Sequence, residues 1–289
     1  MAIERLTDIA ALRARTAMWR AEGHRIALVP TMGNLHEGHL ALVRDASRRA
    51  DRVLVSIFVN PLQFGAGEDY ESYPRTLDAD VQALEALGLP LVLFTPTTNA
   101  VYPDGPDLAT RIIVSGLSEP LCGEFRPAFF SGVATVVAKL LNMSQPDAAV
   151  FGRKDYQQLQ VVRRMVRDLN MPVEIVGVDT VREPDGLAMS SRNSYLDREE
   201  RACAPVIYGT LRAIARALRD GSTRFHELER MGMQRLREAG LKPEYVSIRN
   251  QQDLAPAKAA DTALVILAAA WLGRARLIDN VELRLNRQG

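Results

Sequence analysis

The 289 residues suit one large domain or two smaller ones, since single cores stop growing near roughly 250 residues. Hydrophobic residues make up 47% and charged residues 25%, a globular balance that excludes disordered and fibrous classes. Lysine plus arginine, 36 together, nearly balance 35 acidic residues, so no global field favours nucleic acid or anionic lipid and any anion must be bound locally.

Residues 25–29 form an apolar run followed by Pro30 and Gly33, after which Leu40, Leu42, Val43 and Ala46 recur at helical spacing. A strand, a loop and a helix are predicted there. The Val- and Ile-rich stretch 52–59 ends at Asn60-Pro61 and completes a strand–helix–strand unit with a parallel pair and a right-handed crossover. A helix over 78–87, a strand over 90–94, a helix over 133–143, a strand over 147–151 and a helix over 155–169 continue the alternation. Such alternation predicts the α/β class: a Rossmann-like open parallel sheet covered on both faces, with ligands at the C-terminal ends of its strands. The loops 30–39, 60–65 and 152–155 all leave such ends and are expected to converge.

After about Val181 the pattern changes. A turn at 183–186 precedes helices over 197–220 and 222–239, with Asp197 as an N-cap and Gly221 and Gly240 as stops, and then strands near 245–249, 263–269 and 276–281. This predicts a smaller α+β unit suited to a lid, and so a division into a catalytic domain, 1–181, and a C-terminal domain, 182–289. No apolar run approaches the roughly 18 residues needed to span a bilayer. Met1 to Arg20 lacks the charged start and apolar centre of a signal peptide, so the cytoplasm is the expected location. Neither a membrane nor a nucleic acid is expected as partner. Cys122 and Cys203 stand far apart, which excludes a disulfide framework and a cysteine-rich zinc site; both are expected to be buried hydrophobes.

Two of the four histidines, His36 and His39, fall in one turn at the start of the first predicted helix of the sheet domain. Helix N-termini offer free N–H groups and a positive dipole end to phosphate, and imidazoles there can donate to oxygens on which charge builds. Taken alone, the pair is more often an ordinary βα turn with exposed histidines. A zinc reading is weaker, because His36-Glu37-Gly38-His39 has the wrong spacing for the helical His-Glu-x-x-His motif. No Walker loop and no Gly-x-Gly-x-x-Gly occurs. The remaining signal is the His-x-Gly-His element, which resembles that of nucleotidylyltransferases and class I aminoacyl-tRNA synthetases. At the second strand end Lys154 offers a mobile positive charge, while Asp155 and Gln158 have capping-box-like spacing. Ser190, Ser191 and Arg192 offer hydroxyls and a guanidinium suited to triphosphate oxygens, although a solvated turn would look similar. Gln63 sits beside apolar and aromatic groups, a setting that can orient a small polar substrate, although an ordinary βα turn is the favoured reading of that segment alone.

Together these segments resemble the pantothenate synthetase (pantoate–β-alanine ligase) family. The likeness rests on residues 30–39, 56–65, 73–76, 132–140, 152–158 and 185–193. It implies an AMP-forming acid–amine ligase that uses ATP to convert pantoate to pantoyl adenylate and then condenses it with β-alanine. By this resemblance Met32, Gly33, Asn34, Leu35, His36, Glu37, Gly38 and His39 bind ATP, with His39 the catalytic proton donor and His36 assisting. Gly152, Arg153, Lys154, Asp155, Val181, Met189, Ser190, Ser191 and Arg192 complete the ATP site, and Lys154 joins the catalytic set. Gln63 is implied to contact pantoate and β-alanine, and Gln158 pantoate. Mg2+ is implied on phosphate oxygens with Asp80 nearby, and a homodimer is the family's usual assembly. Three departures from the pattern cover four positions: Arg153 where Glu is usual, Ala128-Phe129 where Gly-His is common, and Ala79 in place of an acid sometimes found near the metal. The competing enzyme reading, a nucleotidylyltransferase acting on a phosphorylated acceptor, is disfavoured by the Gln63 and Gln158 segments. Joint retention of His36, His39 and Lys154 argues against a non-catalytic ATP sensor.

Overall fold

The computed structural model describes residues 3–65 and 67–285. The chain separates into two compact units, 1–153 with 161–179, and 154–160 with 180–289. The segment 154–160, expected within a continuous first domain, groups with the C-terminal unit.

The first unit is a parallel sheet. Its strands are β1 (Glu4–Leu6), β2 (Ile26–Thr31), β3 (Arg52–Ile57), β4 (Leu91–Phe94), β5 (Ala148–Gly152) and β6 (Glu174–Val178), in the order β1-β4-β3-β2-β5-β6. Every pairing is parallel. Its helices are α1 (Ile9–Ala21), α2 (Glu37–Arg49), α3 (Leu77–Glu85), the single turns α4 (Thr98–Val101) and α5 (Cys122–Phe125), α6 (Phe129–Ser144), and the later part of α7 (Tyr156–Asp168). The chain runs outward through β3 and β4 and then crosses back to β5 beside β2, so the order reverses between β2 and β5. That is the position at which open α/β sheets bind ligands.

Alternation on the strands sets the two layers. Ala27, Val29, Val53, Val55, Leu91, Leu93, Ala148 and Val150 share one buried face with Leu42, Val43 and Ala46 of α2 and Leu84 of α3. Their neighbours Ile26, Leu28, Leu54, Phe94 and Ala149 are equally buried, as expected for parallel strands covered on both sides. Helix α6, with most of its residues buried, packs on β2 and α1. It starts four residues earlier than the sequence pattern implies, because its N-cap Ala128 has left-handed backbone (φ 70°) and no polar cap side chain to mark the start. Strands β1 and β6 and helix α1 were not expected. The two strands lie at the sheet edges, and α1 buries only Leu12, Thr16 and Trp19.

The second unit pairs β7 (Lys242–Asn250), β8 (Ala263–Leu272) and β9 (Ala275–Arg284) in an antiparallel sheet packed by α9 (Val206–Arg219) and α10 (Phe225–Glu238). The expected single helix over 197–220 is two, α8 (Arg198–Cys203) and α9. Pro205 explains the break, since it has no N–H to continue the ladder and its ring crowds the preceding turn. Asp197 caps α8 in a reciprocal box with Glu200, and Gly221 and Gly240 follow the ends of α9 and α10. Cys122 is buried, whereas Cys203 is only half-buried, with its thiol 2.8 Å from the carbonyl of Ala239. Among the described residues no helix is long and apolar enough to cross a membrane.

Candidate active site

In the parallel-sheet unit, β2 ends in a loop held from three sides. The Thr31 hydroxyl donates to the carbonyl of Ser56 (2.9 Å) and accepts from the Gly33 N–H (3.2 Å), tying the loop to β3. Gly33 and Asn34 both take left-handed backbone, φ 82° and 51°. Gly33 is required there: a Cβ would lie 3.0 Å from Asp80 Oδ2 and 3.1 Å from Ile57 Cγ2. Asp80, only 2% exposed on α3, accepts from the N–H of Asn34 (3.0 Å) and of Leu35 (2.7 Å) and from the Thr76 hydroxyl (3.2 Å). Its carboxylate therefore acts as a clasp on the loop.

The loop delivers His36 as the N-cap of α2. His36 Nδ1 accepts from the Gly38 N–H (3.1 Å), and His39 Nδ1 accepts from the His36 N–H (3.3 Å). With both Nδ1 atoms accepting, these hydrogen bonds assign the proton of each neutral ring to Nε2. The rings lie 4.1 Å apart, centroid to centroid, at the positive end of a 13-residue helix. Met32 and Leu35 are half-buried in the same loop, and Glu37 is exposed and paired with Arg44.

Strand β3 leads into a single 3-10 turn, Pro61–Gln63, capped by Asn60. Asn60 is fully buried: its Oδ1 accepts from the Leu62 N–H (3.3 Å), and its Nδ2 donates to Gln63 Oε1 (2.9 Å) and to the carbonyl of Gly132 (3.1 Å). The turn lies directly on α6, where a Cβ at Gly132 would stand 2.0 Å from the Leu62 oxygen. Arg126 donates to the Gln63 carbonyl (3.0 Å) and doubly to Glu68 (2.6 and 2.5 Å). Its guanidinium stacks 3.8 Å above the ring centroid of Phe129, so this apolar residue braces a cation beside Gln63. Gly152 ends β5, and Arg153 is tied to β6 through the Gly177 carbonyl (3.2 Å) and to Asp179 (3.5 Å).

The C-terminal unit gathers the remaining candidates. Lys154 shares a small cavity with Ser190, Asn193, Tyr208 and Asp279. Its carbonyl accepts from Asn280 Nδ2 (2.9 Å), and its Nζ lies 4.0 Å from Asp155. Asp279 receives two bonds from Arg182 (2.6 and 2.9 Å), and Arg182 stacks 3.6 Å from the Tyr208 ring centroid. Burial pushes the Asp279 carboxyl up, against the opposing pull of Arg182 and Lys154. A short hairpin, bridged at Arg182 and Ala188, sets Met189 beside Val181 through the Met189 N–H to Val181 carbonyl bond (3.0 Å). Ser190 then caps the 3-10 turn Ser191–Tyr195, which carries Ser191 and Arg192. Gln158 stands half-buried in the first turn of α7, after Tyr156, whose hydroxyl donates to the Gln251 carbonyl (2.9 Å).

The loop histidines and Asp80 are thus brought together in one unit, and Lys154 with Ser190 in the other. Sequence reasoning assigned no role to Asn60, Tyr102, Arg126, Arg182, Asp279 or Asn280. Only Asn60 carried a local signal, as an Asn-Pro turn start.

Comparisons with known proteins identify relatives of the chain. The sequence matches the Pantoate-beta-alanine ligase family model over residues 4–282. It is 56% identical to a pantothenate synthetase of Alkalilimnicola ehrlichii, covering 99% of both chains, and 58% identical to one of Pseudomonas aeruginosa, covering 95% of this chain and 97% of that one. A crystal structure of the Thermus thermophilus pantothenate synthetase superposes with TM-score 0.89 at 45% identity, covering 96% of this chain and 99% of that one. The Francisella tularensis pantoate-beta-alanine ligase, solved with beta-gamma ATP and beta-alanine, gives 0.80 at 34%, covering 97% of each. The chain belongs to the pantoate–β-alanine ligase family.

Proposed function

We propose that this chain condenses pantoate with β-alanine to give pantothenate, cleaving ATP to AMP and pyrophosphate. In the first step a pantoate carboxylate oxygen bonds to the α-phosphorus as the bond to pyrophosphate breaks. In the second the β-alanine amine attacks the acyl carbon of the pantoyl adenylate, AMP leaves, and the amine gives up a proton. Adenylation is needed because a free carboxylate has no good leaving group.

The observation that best supports this reading is the pair of histidines at the start of α2, each with Nδ1 engaged by backbone and so with its proton on Nε2. His39 is the proton donor in this proposal and His36 its assistant, facing oxygens on which negative charge builds. Met32, Gly33, Asn34, Leu35, Glu37 and Gly38 complete that ATP-binding loop. Lys154 neutralises phosphate, with Gly152, Arg153, Asp155, Val181, Met189, Ser190, Ser191 and Arg192 as further nucleotide contacts. Gln63 holds pantoate and β-alanine, and Gln158 holds pantoate.

Mg2+ is assigned to the nucleotide's phosphate oxygens and water. The described residues contain no group of three or more His, Cys, Asp or Glu side chains suited to a metal, and both Asp80 oxygens accept backbone N–H groups, so the protein does not fit a metal cage of its own. A cytoplasmic homodimer is the assembly and location that family likeness and composition favour.

The decisive measurement is exchange of labelled pyrophosphate into ATP without β-alanine. Exchange that requires pantoate is expected. Exchange that ignores pantoate and needs a phosphorylated acceptor would refute the proposal.

A further inference from the structure

Gln63 is ordered by a chain of hydrogen bonds that begins far away in sequence. Tyr102, just after α4, is 2% exposed and donates its hydroxyl to Asn60 Oδ1 at 2.8 Å. Asn60 in turn donates from Nδ2 to Gln63 Oε1 and to the Gly132 carbonyl. Both Nδ2 protons are thereby used, and the oxygen has two donors, Tyr102 and the Leu62 N–H. The Gly132 carbonyl, which can only accept, and the Leu62 N–H, which can only donate, set the orientation of the Asn60 amide, and the Tyr102 hydroxyl donates into the oxygen so placed. With its Oε1 accepting from Asn60, Gln63 turns its NH2 group away and presents donors. Donors suit the carboxylate and hydroxyl oxygens of a hydroxy acid.

We propose that Tyr102 is a positioning residue for the acid substrate: through Asn60 it fixes the Gln63 amide with its NH2 group toward the acid. This inference rests on the reading of Gln63 as an acid contact. Burial pushes the Tyr102 phenol far above its ordinary pKa, so the hydroxyl remains a donor throughout the working pH range. Removing it leaves Asn60 Oδ1 buried with only the 3.3 Å bond from Leu62. The ring itself packs near Phe58, with centroids 6.2 Å apart, and Tyr102→Phe keeps that packing while deleting the donor.

The test is the pantoate-dependent exchange reaction in Tyr102→Phe, Gln63→Ala and the double variant. Tyr102→Phe should raise the KM for pantoate about tenfold, the range expected when a buried acceptor loses its partner, with the KM for ATP within about twofold. In the Gln63→Ala background the same change should add nothing further, because its effect passes through Gln63. If Gln63→Ala raises the pantoate KM while Tyr102→Phe does not, or if the two effects multiply, the relay is overturned and the Gln63 reading stands. If Gln63→Ala leaves the pantoate KM unchanged, the Gln63 reading fails and the relay falls with it. Should Tyr102→Phe not fold, Asn60→Ser, which cuts the relay one link later, takes its place in the same cycle. A pantoate KM raised beside Gln63 but not in the Gln63→Ala background supports the proposal, and an unchanged KM or effects that multiply overturn it.

Discussion

In the parallel-sheet unit His36, His39 and Gln63 are imidazoles and an amide held by hydrogen bonds, whereas in the C-terminal unit Lys154 and Ser190 are a cation and a hydroxyl beside the Arg182–Asp279 ion pair. His36 and His39 owe their orientation to backbone hydrogen bonds within one turn, and Gln63 to the Asn60 side chain, which Tyr102 and α6 hold from far along the chain. Lys154 instead shares its cavity with an Asp279 carboxylate already committed to Arg182. A group held by hydrogen bonds to uncharged partners keeps its place when salt changes. A charge-held group loses it when one partner is removed.

The largest expected effect tests the first half of that contrast. His39→Ala should leave the fold intact but slow adenylation by about two to three orders of magnitude, the typical loss of a donor to developing charge. Wild-type-like single-turnover adenylation would remove His39 from the chemistry. The second half predicts that Asp279→Ala is chiefly a stability defect of about 3 kcal/mol, because it strands the Arg182 guanidinium, whose side chain is 18% exposed. Denaturant midpoints would show it, and an unchanged midpoint would mean that the pair contributes little.

A smaller effect is expected at Ala128. Its left-handed φ of 70° is costly for any residue with a Cβ, so Ala128→Gly should stabilise the protein by about 1 kcal/mol in the same assay. The smallest concerns acid. Arg201 holds the Asp185 carboxyl below its ordinary value of 3.8 through a 2.6 Å bond at the tip of the 181–189 hairpin. Because the folded pKa is the lower one, the unfolded chain takes up the proton first. The contribution is therefore present above about pH 4 and is lost as pH falls through the folded value. Asp185 is 43% exposed, so solvent screening limits the contribution to about 0.5 kcal/mol, and Asp185→Asn should flatten the acid limb of stability by no more than that.

Legibility in the sequence followed the same division. The βα turns that carry His36, His39 and Gln63 and the alternating strands were readable because their signals are local, a glycine, a cap, a period of two, whereas the roles of those side chains came only from the family resemblance. The Pro205 break was written in the sequence as well, but the apolar periodicity on either side of it implied one helix. Edge strands β1 and β6 and helix α1 bury too little to impose a strong pattern. The relay from Tyr102 spans 42 residues to Asn60, and the bond from Asn280 spans 126 to Lys154. No spacing rule reaches that far, because such contacts exist only once the chain has folded. Asp80 was expected near a magnesium ion by resemblance alone, and its work on the Asn34 and Leu35 amides became visible only in three dimensions.

The contact of Gly132 with the Leu62 carbonyl bears on how this enzyme family can be redesigned. Gln63 is seated by main chain resting on main chain, so no choice of side chain on that turn of α6 shifts it, and position 132 tolerates nothing larger than hydrogen. Attempts to evolve acceptance of bulkier or shorter acids will find little freedom there. Variation at Arg126, which reaches the Gln63 carbonyl only through its side chain, and at Phe129, which stacks on Arg126, offers the gentler route.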